Sequence, residues 1–414
     1  MSSLKTSTFL LTTALLVTLI AGCGKGSNTS IPTTSAEASH SAVSSPSQAP
    51  ATSSNLESIG NTGGIPSSSP TVSSNQDTLG EVTAIRLASF KSGWAGGKGW
   101  IARTDDGGKT WKTQLKHKYI VTQLFALNDK TAWATLDINK SQGLQLLHTT
   151  NGGSKWTEAG IVPNRAFLHF ISSKEAFSGN AYTSDGGKTW VKLPVPASLV
   201  GDSYFHDRNH GWAVTQEEGK DKFNITRTTD GGKTWRSVLS RANTATVTGV
   251  VIRSTGKADA WVELIGDSGM SQTSYSLFHT IDGGKSWIPV LANNQAGSGP
   301  APGYEMNKET NVPHNTGSSP GALYVVNPST AFMGGQCSAC DLPNTLGKTT
   351  DGGKTWISLK AAFPGYGAQQ IAAVDANHIW WVNTENSVAS IMYTSFDGGK
   401  SWSKVHTFKS TKTQ

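Results

Sequence analysis

The chain is poor in cysteine, with three in 414 residues, and poor in charge, with Asp, Glu, Lys and Arg making up 15% of it. No segment sustains an apolar stripe at helical spacing, which argues against a helical core. The one markedly apolar run, residues 9–22, is too short to span a bilayer comfortably. What is plentiful is glycine (45) and tryptophan (14). Glycine at this level without a Gly-X-Y period suits a protein built from many tight turns.

The apolar run follows Lys5 and ends in Ile20-Ala21-Gly22-Cys23, which resembles the lipobox of bacterial lipoproteins. That resemblance implies a signal peptide over residues 1–22 and acyl chains on Cys23; an ordinary signal peptide with a chance cysteine is the alternative. Acyl chains would hold the protein at a membrane without a spanning helix. Residues 23–80 are dominated by Ser, Thr, Pro, Ala and Gly and bury too little to offset ordering entropy, so they read as a disordered tether. The expected location is extracytoplasmic, anchored to the bacterial cell membrane. Export exposes Cys337 and Cys340, in "GGQCSACDLPN", to oxidising conditions, and a local disulfide is the first expectation. A zinc site would need about four ligands, and no second cysteine pair or histidine cluster lies nearby. Thioredoxin-type chemistry wants the pair at a helix start rather than in a Gly/Pro-flanked loop. Free thiols remain the other reading.

A nonapeptide recurs through the rest of the chain. Its copies are "RTDDGGKTW" (Asp106, Trp111), "HTTNGGSKW" (Asn151, Trp156), "YTSDGGKTW" (Asp185, Trp190) and "RTTDGGKTW" (Asp230, Trp235). Then come "HTIDGGKSW" (Asp282, Trp287), "KTTDGGKTW" (Asp351, Trp356) and "YTSFDGGKSW" (Asp397, Trp402), the last reading as one residue longer. Successive tryptophans stand 45, 34, 45, 52, 69 and 46 residues apart, the spacing of a propeller or solenoid. Upstream of each copy lies an aromatic strand: "SGWAG", "TAWAT", "EAFSG", "HGWAV", "DAWVE", "TAFMG" and "HIWWV". With flanking alternating runs, each unit reads as four short strands, and the chain as all-β.

Seven such units between residues 81 and 410 predict a single propeller of seven four-stranded antiparallel blades, with an insertion at 293–320 between the fifth and sixth. That insertion either caps one face or is a loose surface loop. Asp-Gly-Gly between strands is a hairpin signal, because glycine accepts positive φ and aspartate accepts backbone N–H bonds. The tryptophan opens the next strand with a large apolar surface.

These residues resemble the Asp box, or bacterial neuraminidase repeat, which implies a scaffold turn at the outer rim rather than a catalytic site. Asp boxes occur in sialidases, xyloglucan-cleaving glycosidases, sortilin-type receptors and photosystem II stability/assembly factors. The pairing of Gly211-Trp212-Ala213 with Arg227 to Trp235 is most similar to the last, over residues 82–408. That family implies a lipid-anchored seven-bladed propeller acting as a non-catalytic protein-binding platform, in assembly or stability of a membrane or envelope complex.

A sialidase would need three arginines, a Tyr–Glu pair and an acid/base Asp. The Arg-Ile-Pro start is absent, and Arg86, Arg165, Arg208, Arg241 and Arg253 are scattered. A xyloglucan-type enzyme would need two propellers around opposed carboxylates. No catalytic residue, cofactor or metal is therefore assigned, and a glycan-binding or glycan-cleaving propeller is the alternative reading. The candidate binding cluster is "GDSYFHDRNHGW", with Tyr204, His206, Arg208 and His210; a polar turn is the plainer reading, and a His–Asp–His metal site lacks further ligands. The net charge of +7 includes six box lysines, a solvated rim that mildly attracts anionic lipid or cell-wall polymer and gives no groove for nucleic acid.

Overall fold

The computed structural model describes residues 79–138, 143–219, 221–242, 245–269, 272–294, 299–337, 342–359, 367–385 and 388–409. Cys23, Cys340 and the expected signal and tether segments before residue 79 lie outside the described residues. Cys337 is buried and disulfide-bonded.

Every regular element among the described residues is a strand, and the strands form six antiparallel sheets. The first holds β1 (Val82–Leu87), β2 (Gly93–Thr104), β3 (Lys112–Ala126), β4 (Ala132–Asp137), β5 (Leu144–Thr149) and β6 (Thr157–Val162) in sequence order. Five four-stranded sheets follow, with innermost strands Leu168–Phe170, Leu199–Phe205, Gly249–Arg253, Ser319–Val325 and Ala368–Ala373. The expected seven four-stranded blades are thus corrected to six blades. The cause is β3, whose 15 residues run without a break from the first repeat unit into the second and hydrogen-bond to β2 on one side and β4 on the other. The merged sheet encloses its own core, with Trp94 and Ile101 of one half packed among Val121, Leu124 and Ala134 of the other.

Each four-stranded sheet is built around the aromatic residue of its second strand, and the six-stranded sheet around two, one on β2 and one on β4. Trp94, Trp133, Phe177, Trp212, Trp261 and Phe332 are fully buried and Trp380 nearly so. Strand alternation explains this: in Gly211–Thr215, Trp212 and Val214 share one face and pack with Phe223, Ile225 and Phe278.

The repeated box folds the hairpin into the outermost strand. In the fourth copy, the Thr228 hydroxyl donates to the Asp230 carboxylate at 2.8 Å and accepts from the Gly232 amide at 2.9 Å. Asp230 also accepts from the Thr234 amide at 2.9 Å and its hydroxyl at 2.6 Å. Gly231 and Gly232 have φ of 77° and 89°, which favour glycine, and a Cβ on Gly232 would collide with the Pro194 carbonyl oxygen. The other boxes repeat these bonds, with Asn151 as acceptor in the second. The seventh copy has no extra residue: Ser395 takes the threonine role toward Asp397 at 2.9 Å, and Phe396 fills the variable position. The box tryptophans are only half-buried. Trp287 stands edge-on to Trp212 of the preceding sheet (5.7 Å, 88°), and Trp356 likewise to Trp261.

Successive sheets contact one another around a closed ring, mostly through their innermost strands, with β1 meeting Ala368–Ala373 of the last sheet. The seam uses the same joint as elsewhere, Trp111 edge-on to Trp380 at 5.9 Å and 74°. The Lys409 amide donates to the Leu79 carbonyl at 2.9 Å, the Thr384 hydroxyl donates to the Val82 carbonyl at 3.2 Å, and Trp100 stacks on Phe408. Among the described residues no strand swaps between sheets to close the ring.

The described part of the insertion, residues 299–320 with Asn293 and Asn294, is packed rather than loose. Asn293 and Asn315 exchange hydrogen bonds, Ser276 donates to the Pro302 carbonyl at 2.6 Å, and Arg241 of the third sheet pairs with Glu309 at 2.6 Å.

Candidate binding site in the axial channel

The innermost strands surround a cavity of about 550 Å³ on the ring axis. No box residue lines it. The repeat therefore builds the wall and leaves the chemistry of the opening to the innermost strands.

Those strands carry a belt of side chains at one repeated register. Arg86 pairs across the sheet with Trp94, Phe125 with Trp133, His169 with Phe177, and Tyr204 with Trp212. Arg253 pairs with Trp261, Tyr324 with Phe332, and Ala372 with Trp380. Each belt residue lies eight positions before its aromatic partner in the sequence. All but Ala372 line the cavity.

Three belt residues have a structural task. His169 Nε2 donates to the Phe205 carbonyl at 2.9 Å, the Tyr204 hydroxyl to Ser254 at 2.8 Å, and the Tyr324 hydroxyl to Ala373 at 3.1 Å. Each thereby ties its strand to the position just past the next belt residue. His169 also stacks on Tyr204 with ring centroids 4.6 Å apart and planes 3° from parallel. Burial pushes the His169 imidazole down to about 3 and the Tyr204 phenol up to about 12, so both stay neutral at ordinary pH.

The two arginines do not follow that pattern. Arg86 sits with its guanidinium carbon 4.5 Å from the centroid of Phe125, and its Nε is buried without a partner. Arg253 lies 3.9 Å over Phe167 and donates Nη1 to the neighbouring Ile252 carbonyl at 2.8 Å. Neither forms an ion pair among the described residues, and no carboxylate lines the cavity. The buried acid nearest in influence to Arg253 is Glu263, whose carboxyl burial pushes up to about 8. The channel therefore holds two half-buried cations backed by aromatic rings, with no carboxylate among its lining residues.

The expected cluster at 204–210 is divided by the fold. Tyr204 and His206 line the channel. His210 instead donates Nδ1 to Asp207 at 2.8 Å, and Arg208 lies over Tyr182, 5.3 Å from its ring centroid, facing the Gly231 hairpin. No group of three metal-binding side chains occurs among the described residues. Sequence reading had passed over Arg86, Phe125, Phe167, His169 and Arg253 as a set. The eight-residue offset from the second-strand aromatic would have aligned four of them.

The BNR/Asp-box repeat family matches residues 393–404, the last box. No curated protein matches the sequence. Among solved structures, the chain is similar to YCF48 bound to D1 peptide, at 15% identity and a TM-score of 0.48, covering 78% of this chain and 94% of that one. It is also similar to the GH74 enzyme of Niastella koreensis (14% identity, TM-score 0.33, 80% of this chain and 73% of that one). A third similar structure is the SapL1 lectin in complex with alpha methyl fucoside (9% identity, TM-score 0.40, 81% and 99%). These likenesses, all of low identity, concern the β-propeller fold alone.

Proposed function

We propose that the protein is a non-catalytic protein-binding platform, anchored through acyl chains on Cys23 to the outer side of the cell membrane, and that it serves assembly or stability of a membrane or envelope complex. The observation that carries this reading is the axial channel: cations and aromatic rings line it, and carboxylates do not. Glycoside hydrolysis by the usual route needs an acid and a second carboxylate flanking the bond, and general acid–base work needs a group near its task pKa. His169, the most buried titratable base of the lining, is held neutral and occupied by a strand contact. Arginine and aromatic anchors are, by contrast, the side chains that dominate protein-binding hot spots. The membrane anchor rests on the Ile20-Ala21-Gly22-Cys23 sequence.

The test is cross-linking of the full chain in its own membrane fraction, identification of the trapped protein, and repetition with that protein purified, beside a glycan array. The expected result is a purified partner that binds wild type and is lost with Arg253→Gln. Sugars bound with no protein partner would move the protein to the glycan-binding class. Cys23→Ser is expected to release a folded protein from membranes, and continued membrane residence would remove the anchor from the proposal.

A further inference from the structure

We infer that the axial channel binds a ligand bearing a carboxylate on an apolar body, with Arg86 and Arg253 holding the carboxylate. The inference rests on the platform reading and names the chemistry of its contact.

Four observations lead to it. First, Arg86 and Arg253 occupy the register that His169, Tyr204 and Tyr324 use to tie one innermost strand to the next, yet neither makes that tie. The ring closes without them, so their presence in the belt is not required by the joint. Second, both cations are half-buried and form no ion pair among the described residues, and Arg86 Nε is wholly enclosed without an acceptor. A desolvated guanidinium without an anion is costly, and the fold carries two in one cavity. Third, the planar fork of arginine matches a carboxylate in bidentate fashion, and the guanidinium carbons lie over the rings of Phe125 and Phe167 at 4.5 Å and 3.9 Å, contacts that restrict how each side chain can move. Fourth, the remaining wall includes Phe170, Leu323, Val325 and Ile371, an apolar surface that favours more than a bare inorganic anion. Of the two acids in electrostatic reach of Arg253, Glu263 has its carboxyl pushed up to about 8 by burial and Asp202 is raised by burial in the same direction, and neither forms an ion pair with it.

The same chemistry has two sources, a free small carboxylate or the carboxyl terminus of a polypeptide. Calorimetric titration of the full chain with N-acetyl-phenylalanine, its carboxamide, a capped tripeptide with a free carboxyl terminus, inorganic phosphate and glucuronate separates them. The acid is expected to bind, the amide to bind about tenfold or more weaker, and added salt to lower the affinity. A tripeptide tighter than the amino acid assigns the chain terminus; equal affinity assigns the small acid. Arg86→Gln and Arg253→Gln should each weaken the acid by about tenfold, with Arg253→Lys restoring part of the loss. Melting temperatures of the variants identify any that fail to fold, and the lysine variant then carries the test. Equal binding of acid and amide, phosphate or glucuronate matching the acid, or a folded double variant that still binds would each overturn the inference. If a purified partner is still captured while no carboxylate binds, the platform reading survives and the carboxylate does not.

Discussion

The guanidinium carbon of Arg253 lies 3.9 Å from the centroid of the Phe167 ring, the shortest cation–π contact among the described residues. The two residues belong to the fourth and second blades, so the side chain reaches past the third blade and its Tyr204 ring. Arg86 has a looser equivalent over Phe125 at 4.5 Å and leaves its Nε unsatisfied.

That difference separates the two arginines in stability. Arg86→Met removes a buried unsatisfied N–H and an unpaired charge, and is expected to stabilise the fold by about 1 kcal/mol. Arg253→Met also gives up a close ring contact and the Ile252 hydrogen bond, and is expected to be neutral or destabilising by up to about 2 kcal/mol. Urea unfolding of both variants checks the order. Destabilisation by Arg86→Met would mean that its guanidinium is satisfied.

The aromatic residue of the second strand and the box tryptophan contribute unequally. Trp212 is fully enclosed, whereas Trp235 is half-buried with its indole N–H donating to the Pro194 carbonyl at 3.3 Å. Trp212→Ala is expected to cost about 3–5 kcal/mol. Trp235→Ala should cost well under half as much, since one face of its ring already meets water. Thermal unfolding of the pair decides it, and equal losses would place the box indole in the core.

Much of the architecture was readable because each unit advertises itself twice, with a second-strand aromatic and an Asp-Gly-Gly hairpin. Both are local signals, and both sit where the sequence placed them. The blade count was harder because it depends on what separates units. Pro163 and Pro194 stand between the units that follow, but "KTQLKHKYIVTQLFA" between the first two holds no glycine, proline or asparagine. Nothing there stops a strand, and β3 runs through. The binding site was hidden for another reason. Arg86 and Arg253 are far apart in sequence, and only closure of the ring brings them to one cavity.

The box carboxylates make the fold acid-sensitive over a definable range. Hydrogen bonds from the Thr234 side chain and amide hold Asp230 down to about 2, and those of Ser286 do the same for Asp282, against an ordinary 3.8. The folded state therefore binds the proton more weakly than the unfolded state. The stability these groups supply is whole above about pH 4 and is lost as pH falls through about 2. Asn151 shows that an amide can serve as the acceptor without titrating. Asp230→Asn should accordingly lose less melting temperature than wild type between about pH 5 and about pH 2. Parallel curves would mean that Asp230 titrates normally in the fold.

Glu263 works in the opposite direction. It is buried on the second strand of the fourth blade with Oε1 unpartnered, and burial pushes its carboxyl from 4.5 up to about 8 despite the opposing pull of Arg253. The folded protein thus holds the proton more tightly than the unfolded chain does. The stability from the neutral acid is complete below 4.5 and fades as pH rises through about 8. Glu263→Gln keeps the neutral shape and cannot ionise. Relative to wild type, the variant should gain about 1.4 kcal/mol per pH unit across that window, read from urea unfolding at pH values spanning it. A difference that stays flat would show that Glu263 is already ionised beside Arg253, and the channel cation would then have a counter-charge within the protein itself.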